Sequence, residues 1–179
     1  MHGARTAATS LLPERPAQWA RLGPPSTVAC LELGLRRAPR YAGVFGVDEP
    51  LYLNTHCPPA DLAPEGGVVM HAMRYQPVDD TMAAADQQQL LRDLASDAGV
   101  SDDDIVEQRF LAHMVVTGAI PTAATGGLSG RATAEVPGVP GAFVAGDWVG
   151  PVGMLADAAL ASGAHAGRLA AARSARIAA

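Results

Sequence analysis

A short apolar run, Ala142-Phe143-Val144-Ala145, leads through Gly146-Asp147-Trp148-Val149-Gly150-Pro151-Val152-Gly153 into residues 154–172, which are small or apolar on most faces, Gly163 and Gly167 included. This order predicts a short buried strand, a glycine-rich turn and a helix. A strand that enters a helix through glycines presents unpaired backbone N–H groups and the positive end of the helix dipole, which together favour an anion or an electron-rich carbonyl oxygen. Gly150 and Gly153 remove the Cβ that would hold a ligand away from the backbone. Asp147 stands where it can accept hydrogen bonds from hydroxyls, such as those of a sugar or ribityl chain. The same pattern also suits an ordinary strand-to-loop turn followed by a tightly packed Ala-rich helix.

Composition narrows the possible functions. The 179 residues are 49% hydrophobic, 17% charged and 4% aromatic, so the core must be built from small side chains in close backbone contact. A net charge of −5 and the absence of a basic stripe argue against nucleic-acid binding. All 13 basic residues are Arg, which excludes Schiff-base chemistry and a Walker-type phosphate loop. Cys30 and Cys57 form no C-x-x-C pair, as expected of a reducing compartment, and no secretory signal or continuous apolar span is visible. The expected location is cytoplasmic.

Along the chain, residues 1–26 read as a Pro- and Arg-rich linker with a short helix at 17–22. Strands are predicted at 27–36, at 51–55 after a turn at Asp48-Glu49-Pro50 and before Pro58 and Pro59, and at 68–75 after Glu65-Gly66-Gly67, the three forming an antiparallel sheet. Asp79 or Asp80 is the expected N-cap of a helix over 81–98, with Met82, Leu90, Leu91 and Leu94 on one side and Gly99 at its end. Ser101-Asp102-Asp103-Asp104 reads as a solvated capped turn before a long strand at 105–117, and 118–141 as a loop.

Few side chains outside the glycine turn suggest chemistry. His56, His71, His113 and His165 lack metal-ligand spacing, so no metal site is expected. Alternation places His71, Met73 and Tyr75 on one strand face, where His71 and Tyr75 can line a substrate pocket or pack as ordinary core residues. Ser162 and His165 lie three apart on a helix but lack an acidic orienter, so they are not a hydrolase dyad. Trp148 suits packing, with possible contact to a cofactor.

Residues 139–148, followed by Gly150-Pro151-x-Gly153-Met154-Leu155-Ala156-Asp157-Ala158 and Ala161-Ser162-Gly163, resemble the C-terminal flavin motif of FAD-dependent oxidoreductases of the phytoene desaturase and amine oxidase superfamily. Residues 29–35, 48–53 and 106–111 are similar to one branch of it. The resemblance implies FAD as cofactor, with the Gly146-Asp147-Trp148 turn against it. It places Asp147 at the ribityl or pyrophosphate region, and Gly153, Met154 and Leu155 at the pyrimidine edge of the isoalloxazine. It also implies hydride transfer to the flavin from a small, apolar organic substrate, the superfamily's substrates including polyenes and amines. No residue of this chain acquires a catalytic role from it.

The departure from that pattern concerns the other half of the cofactor. Such enzymes open with a strand and G-x-G-x-x-G, and neither Gly126-Gly127-Leu128-Ser129-Gly130 nor Gly138-Val139-Pro140-Gly141 has that spacing. The expected architecture is therefore α+β and an incomplete flavoenzyme fold. Residues 27–117 would form part of a substrate domain with a mostly antiparallel sheet, and 118–179 the closing strand and helix of a Rossmann-like FAD-binding domain. Either the chain is the C-terminal portion of such an enzyme, or it is a catalytically inactive fragment or accessory subunit that docks with a partner chain supplying the nucleotide-binding half.

Overall fold

A computed structural model of the protein describes residues 4–12, 14, 16–57 and 60–178. The fold is α+β. Helices α1 (Ala4–Ser10), α2 (Ala17–Ala20), α3 (Ala84–Asp97) and α4 (Leu155–Ala178) accompany strands β1 (Ser26–Leu35), β2 (Gly43–Phe45), β3 (Leu51–Cys57), β4 (Val68–Gln76) and β5 (Ile105–Thr117). Two compact units divide the chain: unit 1 comprises Met1–Ser26 and Val115–Ala179, and unit 2 comprises Thr27–Met114. No helix among the described residues is long and apolar enough to cross a membrane.

Unit 2 carries most of an open sheet in the order β2-β3-β4-β1-β5, with β2/β3, β3/β4 and β4/β1 antiparallel. Period-two alternation sorts its side chains. Ala29, Leu31, Leu33 and Leu35 of β1 share a face with Leu53, Val68, Met70 and Ala72, and Leu91, Ala95 and Ala98 cover them. Each fully buried leucine here stabilises the unit by roughly 1.5–3 kcal/mol. The opposite face carries cross-strand pairs of another character: Cys30 with Met73, Glu32 with His71, Gly34 with Val69, and Asn54 with His71. The expected strand stop at Pro58 and Pro59 lies outside the described residues.

The sequence places the start of α3 too early. It begins at Ala84 rather than near residue 81, and its N-cap Ala83 makes no side-chain cap. Asp80 is held elsewhere: Arg74 grips it with both guanidinium nitrogens, at 2.7 and 3.0 Å, and also donates to Gln87 at 3.3 Å. A charge-assisted pair of this kind outweighs a cap. Met82 is therefore exposed instead of facing the core. At the other end Gly99, at φ +89°, takes the left-handed conformation that closes the helix, and its N–H donates to the Ser96 carbonyl.

The acidic run is not wholly solvated either. Asp104 is buried, completes a capping box with Ser101, and accepts two bonds from Arg37 at 2.6 and 2.8 Å. Hydrogen bonds from Arg74 hold Asp80 below the ordinary carboxylate value of 3.8, and hydrogen bonds from Ser101, then Arg37, do the same for Asp104. Below pH 3.8 the unfolded chain takes up protons that the folded unit still refuses, so stability is lost there as pH falls. Burial and neighbouring His56 lower His71 from 6.5, which acts in the same direction at higher pH. Urea midpoints for unit 2, read from pulsed hydrogen exchange of β1 and β4 peptides, are thus expected to fall in two stages, below 6.5 and again below 3.8. A midpoint unchanged from about pH 7.5 to about pH 3 contradicts these pairings.

Unit 1 packs around two indoles. Trp19 and Trp148 meet edge to face, with centroids 4.9 Å apart and planes at 80°. Leu22, Ala119, Ala132, Ala134, Val136 and Val149 surround them, and Ala166 and Leu169 of α4 close one side. The run 142–145, expected as a buried strand, is only partly buried and forms a single bridge, Glu135 with Phe143. Gly138 and Gly141, both at positive φ, turn the chain back on itself. Two backbone bonds, Val136 N–H to the Ala142 carbonyl and Val144 N–H to the Ala134 carbonyl, complete the pairing. No further strand pairs with this run among the described residues.

Candidate functional site

The entry into α4 gathers most of the residues singled out in the sequence. Gly146, Gly150 and Gly153 have φ of 153°, 76° and 73°, and Leu155, which opens the helix, has φ 49°. A left-handed leucine costs about 1–2 kcal/mol, so the surrounding loop must hold it there. Ser162 supplies one tie: its hydroxyl accepts the Gly146 N–H at 3.0 Å and lies 3.0 Å from the Gly146 carbonyl. This contact engages Ser162 with the turn rather than with His165.

Arg131 supplies the other tie, and sequence reasoning missed it. The side chain is buried, and one guanidinium nitrogen donates to the Gly153 carbonyl at 2.9 Å and to that of Gly150 at 3.4 Å. The second lies 3.1 Å from the Met154 sulfur, and Nε has no hydrogen-bond partner. No carboxylate pairs with Arg131 among the described residues. One sequence signal could have found it: Arg131 is the sole Arg, Asp or Glu between Arg109 and Glu135.

Asp147 is partly engaged within the protein. Its Oδ2 accepts the Thr117 hydroxyl and, at 2.7 Å, the Gly118 N–H. Oδ1 makes no hydrogen bond to a described residue and keeps its acceptor capacity. Trp148 takes the packing position that its sequence context suits. It is fully buried and packs edge to face against Trp19. Met154 and Leu155 are each about half exposed, 50% and 48%, and with Val152 they form an apolar lip at the helix start. Beside this lip a cavity of about 510 Å³ opens between Val149, Gly150 and Val152 on one side and Ala161, His165 and Arg168 of α4 on the other.

The two weaker candidates lie in unit 2 and part company. Tyr75 is 41% exposed, whereas His71 borders a cavity of about 730 Å³ on the open sheet face, whose lining does not include Tyr75. His71 Nε2 stands 3.8 Å from Glu32 Oε1, and its ring lies against His56 with centroids 4.6 Å apart. Arg109 binds the other Glu32 oxygen at 2.5 Å. Beneath them, burial and then Glu32 push the Cys30 thiol up to about 11, so it stays protonated at neutral pH.

No protein-family model matches the chain, and no curated protein or solved structure matches it either.

Proposed function

We propose that this chain is the C-terminal portion of an FAD-dependent oxidoreductase of the phytoene desaturase and amine oxidase superfamily. Its α4 entry would meet the ring end of the flavin, and the adenosine half would be held by protein beyond G-x-G-x-x-G, which this sequence lacks. The observation that carries the reading is the left-handed backbone at Gly150, Gly153 and Leu155, which feeds a half-exposed apolar lip into the N-terminus of a 24-residue helix. An exposed lip, unpaired amides and a buried arginine without a counter-charge suit a flat, largely apolar ring that acquires negative charge at one edge. The group, when bound, supplies the acceptor for hydride removed from a small, apolar organic substrate.

The chain's own residues do the rest. Gly153, Met154 and Leu155 would lie along the pyrimidine edge, where the helix end favours the charged form. Arg131 holds that segment in place through the Gly150 and Gly153 carbonyls and adds its positive charge. Asp147 would accept a ribityl hydroxyl on Oδ1 while Oδ2 keeps Thr117 and Gly118 in position. A second reading, an accessory subunit that docks with a nucleotide-binding partner, draws on Leu160 and Ile177 of α4, which are 73% and 74% exposed.

Flavin fluorescence titrations test the proposal. With only the ring and ribityl portions in contact, riboflavin, FMN and FAD should bind within about threefold of one another. Asp147→Ala should weaken all three by about fivefold, the equivalent of one hydrogen bond. Absence of quenching by any of the three, or binding that needs the adenosine portion, overturns it. A colourless chain that elutes as an oligomer favours the accessory-subunit reading.

A further inference from the structure

The open face of the unit-2 sheet carries a trough that the flavin reading does not use. Its base is Gly34, which has no side chain and pairs with Val69 of β4. Leu62, Pro64 and Val106 are among the residues that border it, together with Glu32, His71 and Arg109, which are grouped by their contacts with one another. The lining is mainly apolar, with Arg36, Glu65, Glu107 and Gln108 also on its border, a mixture found in sites for small amphipathic molecules.

The group of Glu32, His71 and Arg109 selects the head group. Arg109 commits Nε and Nη2 to Glu32 Oε2, both at 2.5 Å, so its charge is largely offset by that carboxylate. Glu32 Oε1 repels an anion, and makes no hydrogen bond, since His71 Nε2 stands 3.8 Å away, beyond direct hydrogen-bond reach. A single oxygen about 2.8 Å from each atom would bridge the gap. It must donate to the carboxylate and can accept from an imidazole N–H, and a hydroxyl does both. Burial keeps His71 neutral at physiological pH, so one ring nitrogen carries a proton and the imidazole adds no charge that would draw a carboxylate.

We propose that this trough binds a small aliphatic alcohol, its chain along Gly34 and Val69 and its hydroxyl bridging Glu32 and His71. The site stands whether or not unit 1 holds a flavin.

Saturation-transfer NMR and calorimetry on the full chain test it, with 1-octanol, its methyl ether, octylamine and octanoate as probes. Octanol should bind at least about fivefold more tightly than the ether, which cannot donate, and more tightly than either charged analogue. Glu32→Leu should erase the preference for octanol over the ether while leaving ether binding within about twofold. Gly34→Val should abolish binding of both. A Cβ at Gly34 meets Glu107 Cβ at 3.5 Å, an ordinary contact, and a β-branched residue suits a strand, so chemical denaturation is expected to show Gly34→Val folded. Gly34→Ala, which keeps the strand and narrows the trough less, should give an intermediate loss. Octylamine or octanoate binding best, equal affinity for alcohol and ether, or octanol binding unchanged in folded Gly34→Val each overturns the proposal.

Discussion

Trp148→Ala is expected to destabilise unit 1 by about 3–5 kcal/mol, the cost of emptying a fully buried aromatic site. The surrounding structure explains why the site cannot collapse. A Cβ at Gly118 would lie 2.8 Å from the indole Cδ1, and one at Gly146 2.7 Å from Nε1, so backbone without side chains is pressed against the five-membered ring at two points. Much of the remaining shell is alanine and valine, too short to fill the vacated volume. Trp148→Phe should cost less, because it keeps an aromatic edge toward Trp19 and the indole N–H has no hydrogen bond to lose. Chemical denaturation followed through Trp19 fluorescence reads both variants. A loss below about 1 kcal/mol for Trp148→Ala would show that the indole does not organise this unit.

Gly153→Val is expected to cost about 2–4 kcal/mol and to abolish flavin binding in the titration described above. The residue sits at φ +73°, which a β-branched side chain avoids, and its Cβ would fall 2.8 Å from Asp157 Cβ and 3.0 Å from the Ala158 nitrogen. The first turn of α4 would have to move away, and the Gly153 carbonyl would leave Arg131. Gly150→Ala separates the two causes. Gly150 has nearly the same φ, +76°, but nothing within 4 Å of a Cβ, so only the backbone strain of about 1 kcal/mol should appear. Near-equal losses in the two variants would discount the steric part of the account. Flavin binding that survives in folded Gly153→Val would remove the α4 entry from the proposed site.

Alternation made the central strands of the sheet legible, because β1 and β4 each bury every second residue against the same core. Gly99 marked the end of α3 for a local reason, its left-handed φ. The start of that helix was not legible: Arg74 on β4 competes for Asp80, and no local pattern announces such a pairing. The apolar run at 142–145 has the composition of a core strand, but strand character needs partners, and the turn through Gly138 and Gly141 gives it only one short return segment. At the site, the glycines and the small-residue helix could be read directly. Trp148 could not be resolved between packing and ligand contact until its partner Trp19, 129 positions earlier, was placed. Arg131 offered only its isolation in an uncharged stretch, a signal about burial rather than about role.

Unit 1 is assembled from both ends of the chain, with unit 2 lying between them in sequence. During synthesis, Trp19 leaves the ribosome long before Trp148 and must wait through the whole of 27–114 for its partner. The intervening residues can meanwhile complete their own core, which draws the two flanks together and shortens the search. The order of events is therefore set by connectivity: middle first, ends last, with an unsatisfied indole as the hazard of the waiting period.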